Sequence, residues 1–294
     1  MPGSNTMMGR LLYPVVLLGN TALALFLAYL GLSGAVVVAI TAVVATLLVL
    51  LAERHLPFSR NWQTPAGDTD ADTAHLITTL VVAEGIGRGL FFFTSDWLPI
   101  STPIWPQDWP LLLQLLLALV LSDAIAYLGH RLLHSVPVLW RFHRIHHAAP
   151  RLYWLNAFRN HPADVLVSAT ATMFPLAMLG VGGTVRVLAT VVVTTHLLLQ
   201  HANLDLARGP LDRLFATSPL HRFHHDRNRS DANANFGRLF IVWDVLFGTR
   251  RLPPEPAPAQ IGVDDLPSVP NGWWDQLRLP FRSQGNLDRR HNDS

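Results

Sequence analysis

Two short runs, His143-Arg-Ile-His146-His147 and His221-Arg-Phe-His224-His225, repeat one pattern of imidazoles. A third run, His130-Arg-Leu-Leu-His134, adds a pair four residues apart, and His201 stands alone ahead of the last run. Side chains three or four apart share one face of a helix. Each run can therefore aim its imidazoles at a common point, with His143 able to converge with both His146 and His147. A single ion with open positions rarely takes more than about four protein nitrogens. The runs supply eight imidazoles, and His201 would make nine, so two metals are expected. A lone histidine is more often a hydrogen-bonded core residue than a ligand. Two His-x-x-His-His triads and a His-x-x-x-His pair in one chain do not fit that explanation. The chain has no cysteine, so thiolate sites, disulfides and cysteine nucleophiles are excluded and the ligands must be nitrogen or oxygen.

The elements that must position these residues are hydrophobic. Half of the 294 residues are hydrophobic and only 14% are charged, against about a quarter in a soluble domain. A bilayer core needs roughly 20 apolar residues as a helix. Leu11–Leu30, Leu32–Ala52 and Leu111–Gly129 supply such runs, the last with Asp123 inside it. Leu76–Phe93 is weaker, interrupted by Glu84 and Arg88. Ala163–Leu179 and Thr184–Gln200 form a second hairpin around Gly180–Gly183. The expectation is an all-α, integral-membrane helical bundle of about six hydrophobic helices, four to six of them spanning, with a helical cap that carries the histidines. The first run is too long for a signal-peptide core, and a second follows at once. The division expected is 1–110 for N-terminal membrane helices, 111–250 for the catalytic region and 251–294 for a C-terminal tail.

Arginine placement sets the orientation. There is no lysine, and twenty of the 22 arginines fall in segments on one side of this arrangement. The exceptions are Arg88 and Arg186. All four histidine groups fall on the arginine side, which is expected to be cytoplasmic. The Trp97–Pro110 loop, with no arginine, should sit at the opposite interface. A net charge of only +2 gives little electrostatic support for nucleic-acid binding.

From Asp123 to Thr249 the chain resembles the fatty acid hydroxylase / sterol desaturase superfamily of membrane di-iron enzymes. The resemblance lies in the histidine runs, Asp123-Ala-Ile-Ala-Tyr127, Arg159-Asn-His-Pro162 and His201-Ala-Asn203. It extends to Asn235-Phe-Gly237 and the closing Trp243-Asp-Val-Leu-Phe-Gly-Thr249. It implies two iron ions ligated by His130, His134, His143, His146, His147, His221, His224 and His225. His201 matches the family's extra histidine before the last triad. His161 matches a recurring position, as ligand or support. It further implies iron-dependent use of O2 to hydroxylate or desaturate a lipid: a fatty acyl, alkylglycerol or sterol-like substrate. A sterol or carotenoid branch is the alternative within enzymes. A histidine-rich metal transporter is the alternative of another class, disfavoured because the triads lie in arginine-rich stretches between the apolar runs. The chain carries no dinucleotide fingerprint and no iron–sulfur cysteines. Electrons are therefore expected from an external ferredoxin, cytochrome or reductase.

No catalytic residue is expected beyond the metal ligands. Asp123 lies seven residues before His130 and faces the same way, so its carboxylate can orient a ligand imidazole; Asn235 and Asp244 are candidates for the same role. His196, five residues before His201, is off the ligand face by about 140° and is read as a support or a core residue. Glu84 and Arg88 are read as a self-satisfying pair or an intramembrane functional site. His55, His75 and His291 are read as incidental.

Overall fold

A computed structural model of the chain describes residues 7–92, 104–252, 260–264 and 269–282. Among these the structure is helical, with a few isolated bridges and no sheet. The six hydrophobic helices are α1 (Met7–Tyr29), α2 (Gly34–His55), α3 (Thr69–Phe92), α4 (Leu111–Ser135), α6 (Pro162–Met178) and α7 (Gly183–His201). Four of them, α1, α2, α4 and α7, are long and apolar enough to cross a membrane. Helix α6, at 17 residues, is a shorter apolar helix. Helix α3 is long enough, but Asp70, Asp72 and Glu84 dilute its hydropathy. The Arg88 side chain, and with it the expected Glu84–Arg88 pairing, lies outside what the structure describes.

The two helical hairpins turn at Gly31 and Gly180, whose φ angles of 80° and 75° favour glycine. Helix α7 is the central strut of the bundle. Leu188, Val191, Leu198 and Leu199 on it are buried against Tyr13, Val16 and Leu17 of α1 and Val37, Ala45 and Val49 of α2. Asn20 of α1 ties these three helices together. Its amide donates to the Thr41 carbonyl of α2 at 3.2 Å and to Thr195 Oγ1 of α7 at 2.7 Å. On the outer faces Val15, Leu18 and Phe26 of α1, Leu47 and Leu51 of α2, and Leu112, Leu116 and Leu128 of α4 are exposed. An all-round apolar exterior of this kind suits a lipid solvent, not water.

The histidine runs and the short helices gather at one end of this bundle. There the chain leaves α4, α2 and α7 by their C-termini and enters α1. The Asp205 amide bonds the Leu56 carbonyl just past α2, and the Ala207 amide bonds the Gly9 carbonyl of α1. On this end lie α5 (Pro137–His147), a 3-10 turn at Trp154–Phe158, α8 (Ser218–His224), α9 (Arg229–Ala232), α10 (Val242–Leu246) and α11 (Trp273–Arg278). Glu53, buried at the end of α2, accepts the backbone N–H groups of Trp154 and Asn203 at 2.9 and 2.8 Å. The N-terminal helices thus hold the cap directly. Helix α11 also packs back on the bundle: Gln276 bonds His75 of α3 at 2.9 Å, so residues 269–282 are not a free tail. Residues 97–103 of the expected Trp97–Pro110 loop lie outside the described residues. At the opposite end of the bundle Trp105 is buried, not lipid-facing, with its indole N–H on Gln114 at 2.9 Å.

Candidate metal centre

Three helix ends and one short helix carry the imidazoles. His130 and His134 occupy the last two turns of α4, one turn apart. Val136 then leaves the helical region, and Pro137 starts α5 at the first turn, where its missing N–H costs nothing. Helix α5 presents His143, His146 and His147. Helix α7 ends on His201, and Pro219 starts α8, which presents His221 and His224 with His225 at its C-cap.

These nine residues form two adjoining nests. One holds His130, His134, His143, His147 and His224; the other holds His146, His201, His221 and His225. Within each, the candidate ligand atoms all lie within 4.8 Å of one another. The nests touch where the His147 and His225 rings stack, 4.3 Å between centroids. This corrects the expectation that each triad serves one point. The i, i+4 members stay together, His143 with His147 and His221 with His225, while His146 and His224 cross to the other nest. Residues 143 and 146 diverge by about 60° around a helix of 3.6 residues per turn, enough to aim them at different centres.

Hydrogen bonding fixes which nitrogen faces inward. His130 Nδ1 lies 2.8 Å from the Phe236 carbonyl, His224 Nδ1 2.7 Å from the Ala234 carbonyl, and His201 Nδ1 2.9 Å from the Leu197 carbonyl. His143 Nδ1 lies 2.7 Å from the Asp164 carboxylate. These partners only accept, so each Nδ1 carries a proton and Nε2 is the nitrogen left to bind a ligand. Yet the Nε2 atoms face each other: His130 is 3.0 Å from both His143 and His224. In the second nest His201 is 3.2 Å from His146 and 3.0 Å from His221, and His221 is 3.1 Å from His225. Where both Nδ1 atoms carry protons, as in His130 and His224, such converging lone pairs repel unless a cation lies between them. Metal–imidazole bonds run about 2.0–2.1 Å, so two nitrogens at right angles on one ion sit about 3.0 Å apart. The donor set therefore fits two nitrogen-ligated metal ions.

Burial keeps the donors available. His146, His147, His221 and His225 are held well below their ordinary pKa of 6.5 by desolvation and by their neighbouring imidazoles. His224 is pushed down to about 3, again chiefly by burial. Neutral imidazole is the form that binds metal.

The other expected site residues fall outside the nests, each for a visible reason. Asp123 touches no imidazole. Its carboxylate accepts the N–H groups of Leu239 and Phe240, both at 2.8 Å, and the Trp243 indole at 3.1 Å. Asp244 accepts from Phe236 at 2.8 Å, Gly237 at 2.7 Å and Thr249 at 2.6 Å. Asn235, at φ 55°, brackets the Arg251 backbone with its side chain, accepting the N–H and donating to the carbonyl, both at 2.9 Å. All three therefore hold the loop 234–243, whose carbonyls in turn orient His130 and His224; they stand one layer further out than expected. Gly237 is required there, because a Cβ would come 2.5 Å from the Phe240 carbonyl oxygen.

His161 is the N-cap of α6. Its Nδ1 accepts from Ala163 at 3.0 Å, and its Nε2 reaches the Leu277 carbonyl at 3.2 Å. His196 is a core residue bonded to Tyr13. His75, expected to be incidental, is instead a fully buried strut between the Asn160 carbonyl and Gln276. His55 is exposed, and His291 lies outside the described residues. Sequence reasoning missed two supports. Asp164 bonds a nest imidazole although it is 21 positions from it. Asp72 receives Arg159, Tyr153 and Asn156 in a buried network, and Arg159 also donates to the Ile145 carbonyl inside α5 at 3.0 Å. The only signal for either was composition: charged residues at the edges of apolar runs.

Residues 115–249, which contain every member of both nests, match the family model described as fatty acid hydroxylase. The chain is 34% identical over 248 residues to an ornithine lipid hydroxylase of Rhizobium tropici, covering 82% of this chain and 74% of that protein. It is 32% identical over 132 residues to human alkylglycerol monooxygenase, but covers only 27% of it. Against rat methylsterol monooxygenase 1 the identity is 26% over 170 residues, covering 55% of each chain. No solved structure matches. The chain belongs to the fatty acid hydroxylase family and is an oxidoreductase.

Proposed function

We propose that this chain is a membrane-embedded di-iron monooxygenase that hydroxylates a polar acyl lipid, using O2 and electrons from an external donor. The reading rests on one observation above all: two adjoining nests of imidazoles whose Nε2 atoms converge at 3.0–3.2 Å. His130, His134, His143, His147 and His224 would hold one iron, and His146, His201, His221 and His225 the other. Imidazole alone suits several metals; iron is favoured because the three relatives above are named hydroxylase or monooxygenase. When bound, the irons supply the redox chemistry that activates O2 toward an unactivated carbon–hydrogen bond. The protein's own part is orientation and exclusion of water. The loop carbonyls of Ala234 and Phe236 and the Asp164 carboxylate fix the tautomers of His224, His130 and His143. The nests sit in a closed cap where every ligand candidate except half-buried His130 is buried. No side-chain general base is assigned.

The substrate class follows the relative that matches over most of its length, an ornithine lipid hydroxylase. Hydroxylation is favoured over desaturation because these relatives are named for oxygen insertion. The arginines of the cap favour the cytoplasmic side, where an electron-carrying partner of the ferredoxin, cytochrome or reductase kind can reach it. The test is lipid profiling of a host with and without the gene, and with the His130→Ala variant. A polar acyl lipid gaining one oxygen atom only with the intact gene is the expected result. Loss of two hydrogens would mean desaturation, an oxidised sterol would move the substrate class, and an unchanged lipidome would refute the proposal.

A further inference from the structure

We infer that Asp164 makes the two metal positions inequivalent: its carboxylate backs His143 so that the five-histidine nest is the tighter and more electron-rich of the two. This rests on the two-metal reading above. Five of the nine nest imidazoles have an assigned Nδ1 partner. Four of those partners are neutral: the Phe236, Ala234 and Leu197 carbonyls and the Asn233 side chain, 3.3 Å from His134. Among these five only His143 bonds a charged group, at 2.7 Å, with both side chains buried. The imbalance between nests is larger than that one contact. Four of the five assigned partners serve the five-histidine nest. In the other nest, His146 Nδ1 and His221 Nδ1 are buried and have no hydrogen-bond partner among the described residues.

The placement of Asp164 is built into the fold. His161 caps α6 and Pro162 begins it, which puts Asp164 in its first turn, where the helix dipole favours a carboxylate. Ser168, one turn on, donates to the second carboxylate oxygen at 2.9 Å and fixes its rotamer. Arg159, just ahead of the cap, donates to the Ile145 carbonyl two residues past His143. The segment Arg159–Asp164 thus locks α6 to α5 in the register that brings carboxylate and imidazole together. A buried carboxylate on the distal nitrogen raises the basicity of a ligand imidazole and fixes its direction. Asp164 is therefore a positioning residue, acting on the metal only through His143.

The experiment titrates Fe2+ anaerobically into the chelator-stripped, detergent-solubilised full chain. It compares wild type with Asp164→Asn and Asp164→Glu, reading metal affinity and the Mössbauer spectrum of the 57Fe-loaded protein. Wild type should bind two equivalents in two steps. Asp164→Asn should weaken the first step by about 10–100-fold, the usual effect of losing such a partner, and leave the second unchanged. It should shift only one of two resolved iron signals and raise the reduction potential of that iron alone. Asp164→Glu should recover part of the loss. Two unchanged steps with unchanged spectra would overturn the inference and leave the two-metal reading intact. Equal weakening of both steps, or loss of both, would also overturn it, because Asp164 would then be a general support of the fold. Failure of wild type to bind two equivalents would instead refute the two-metal reading itself.

Discussion

Replacing Asp123 by alanine tests how the cap is hung from the membrane helices. The carboxylate sits within α4 and accepts three N–H groups, at 2.8, 2.8 and 3.1 Å, with its side chain buried. Alanine leaves two backbone N–H groups and one indole N–H without an acceptor in a dry region. Each buried unsatisfied donor costs about 1–3 kcal/mol; with partial relaxation the sum is roughly 3–6 kcal/mol. At about 2–4 °C per kcal/mol for a chain of this order of size, the unfolding temperature should fall on the order of 10 °C. The loss should be selective for one metal, because the loop Asp123 holds supplies the Phe236 and Ala234 carbonyls to His130 and His224. Both of those belong to the five-histidine nest. Asp123→Asn keeps one acceptor oxygen and should lose about half as much. The assay is thermal unfolding in detergent, followed by fluorescence, with iron counted per chain. Wild-type unfolding temperature and full iron content in Asp123→Ala would refute the claim that this carboxylate clamps the loop.

Three other perturbations have defined outcomes. Arg159→Met strips the buried Asp72 of its cationic partner and should destabilise the chain by about 3–5 kcal/mol; adding Asp72→Asn should recover part of that, and an additive double mutant would contradict the coupling. His161→Ala removes the α6 cap and should cost about 1 kcal/mol while iron per chain stays the same, so loss of an ion would make His161 a ligand after all. In metal-free protein, the unfolded chain protonates its histidines near 6.5, whereas burial holds His146, His147, His221 and His225 well below that value and His224 down to about 3. The unfolded state then binds more protons, and stability should fall as pH drops from about 6.5 toward 3. An unfolding temperature flat between pH 7 and pH 5 would contradict neutral nests.

Much of this arrangement was legible in the sequence because its signals are local. A His-x-x-x-His at the end of an apolar run reads as a helix end bearing two ligands, and α4 carries His130 and His134 that way. The hairpins were legible from Gly31 and Gly180. What could not be read is whatever depends on how separate helices pack. The division of each triad between two nests depends on how α5 and α8 pack against α4 and α7, which spacing alone does not encode. Asp123 lies two helical turns before His130 on α4. It nevertheless bonds backbone from residues 239 and 240, because that loop folds back between the carboxylate and the imidazoles. His161 resembled a ligand by type, but the proline after it marks a helix start, and its Nδ1 is used as a cap. Asp164 showed only as a charge at the edge of an apolar run, since it is the packing of α6 beside α5 that brings it to His143.

The central claim is that nine imidazoles hold two irons in two separable nests. Its most direct measurement is iron per chain in the purified wild type, in His130→Ala/His224→Ala and in His201→Ala/His221→Ala. The account predicts two irons in the wild type and one in each double variant, with different Mössbauer spectra because a different iron survives in each. A single iron in the wild type, or complete loss of metal from both double variants, would contradict it.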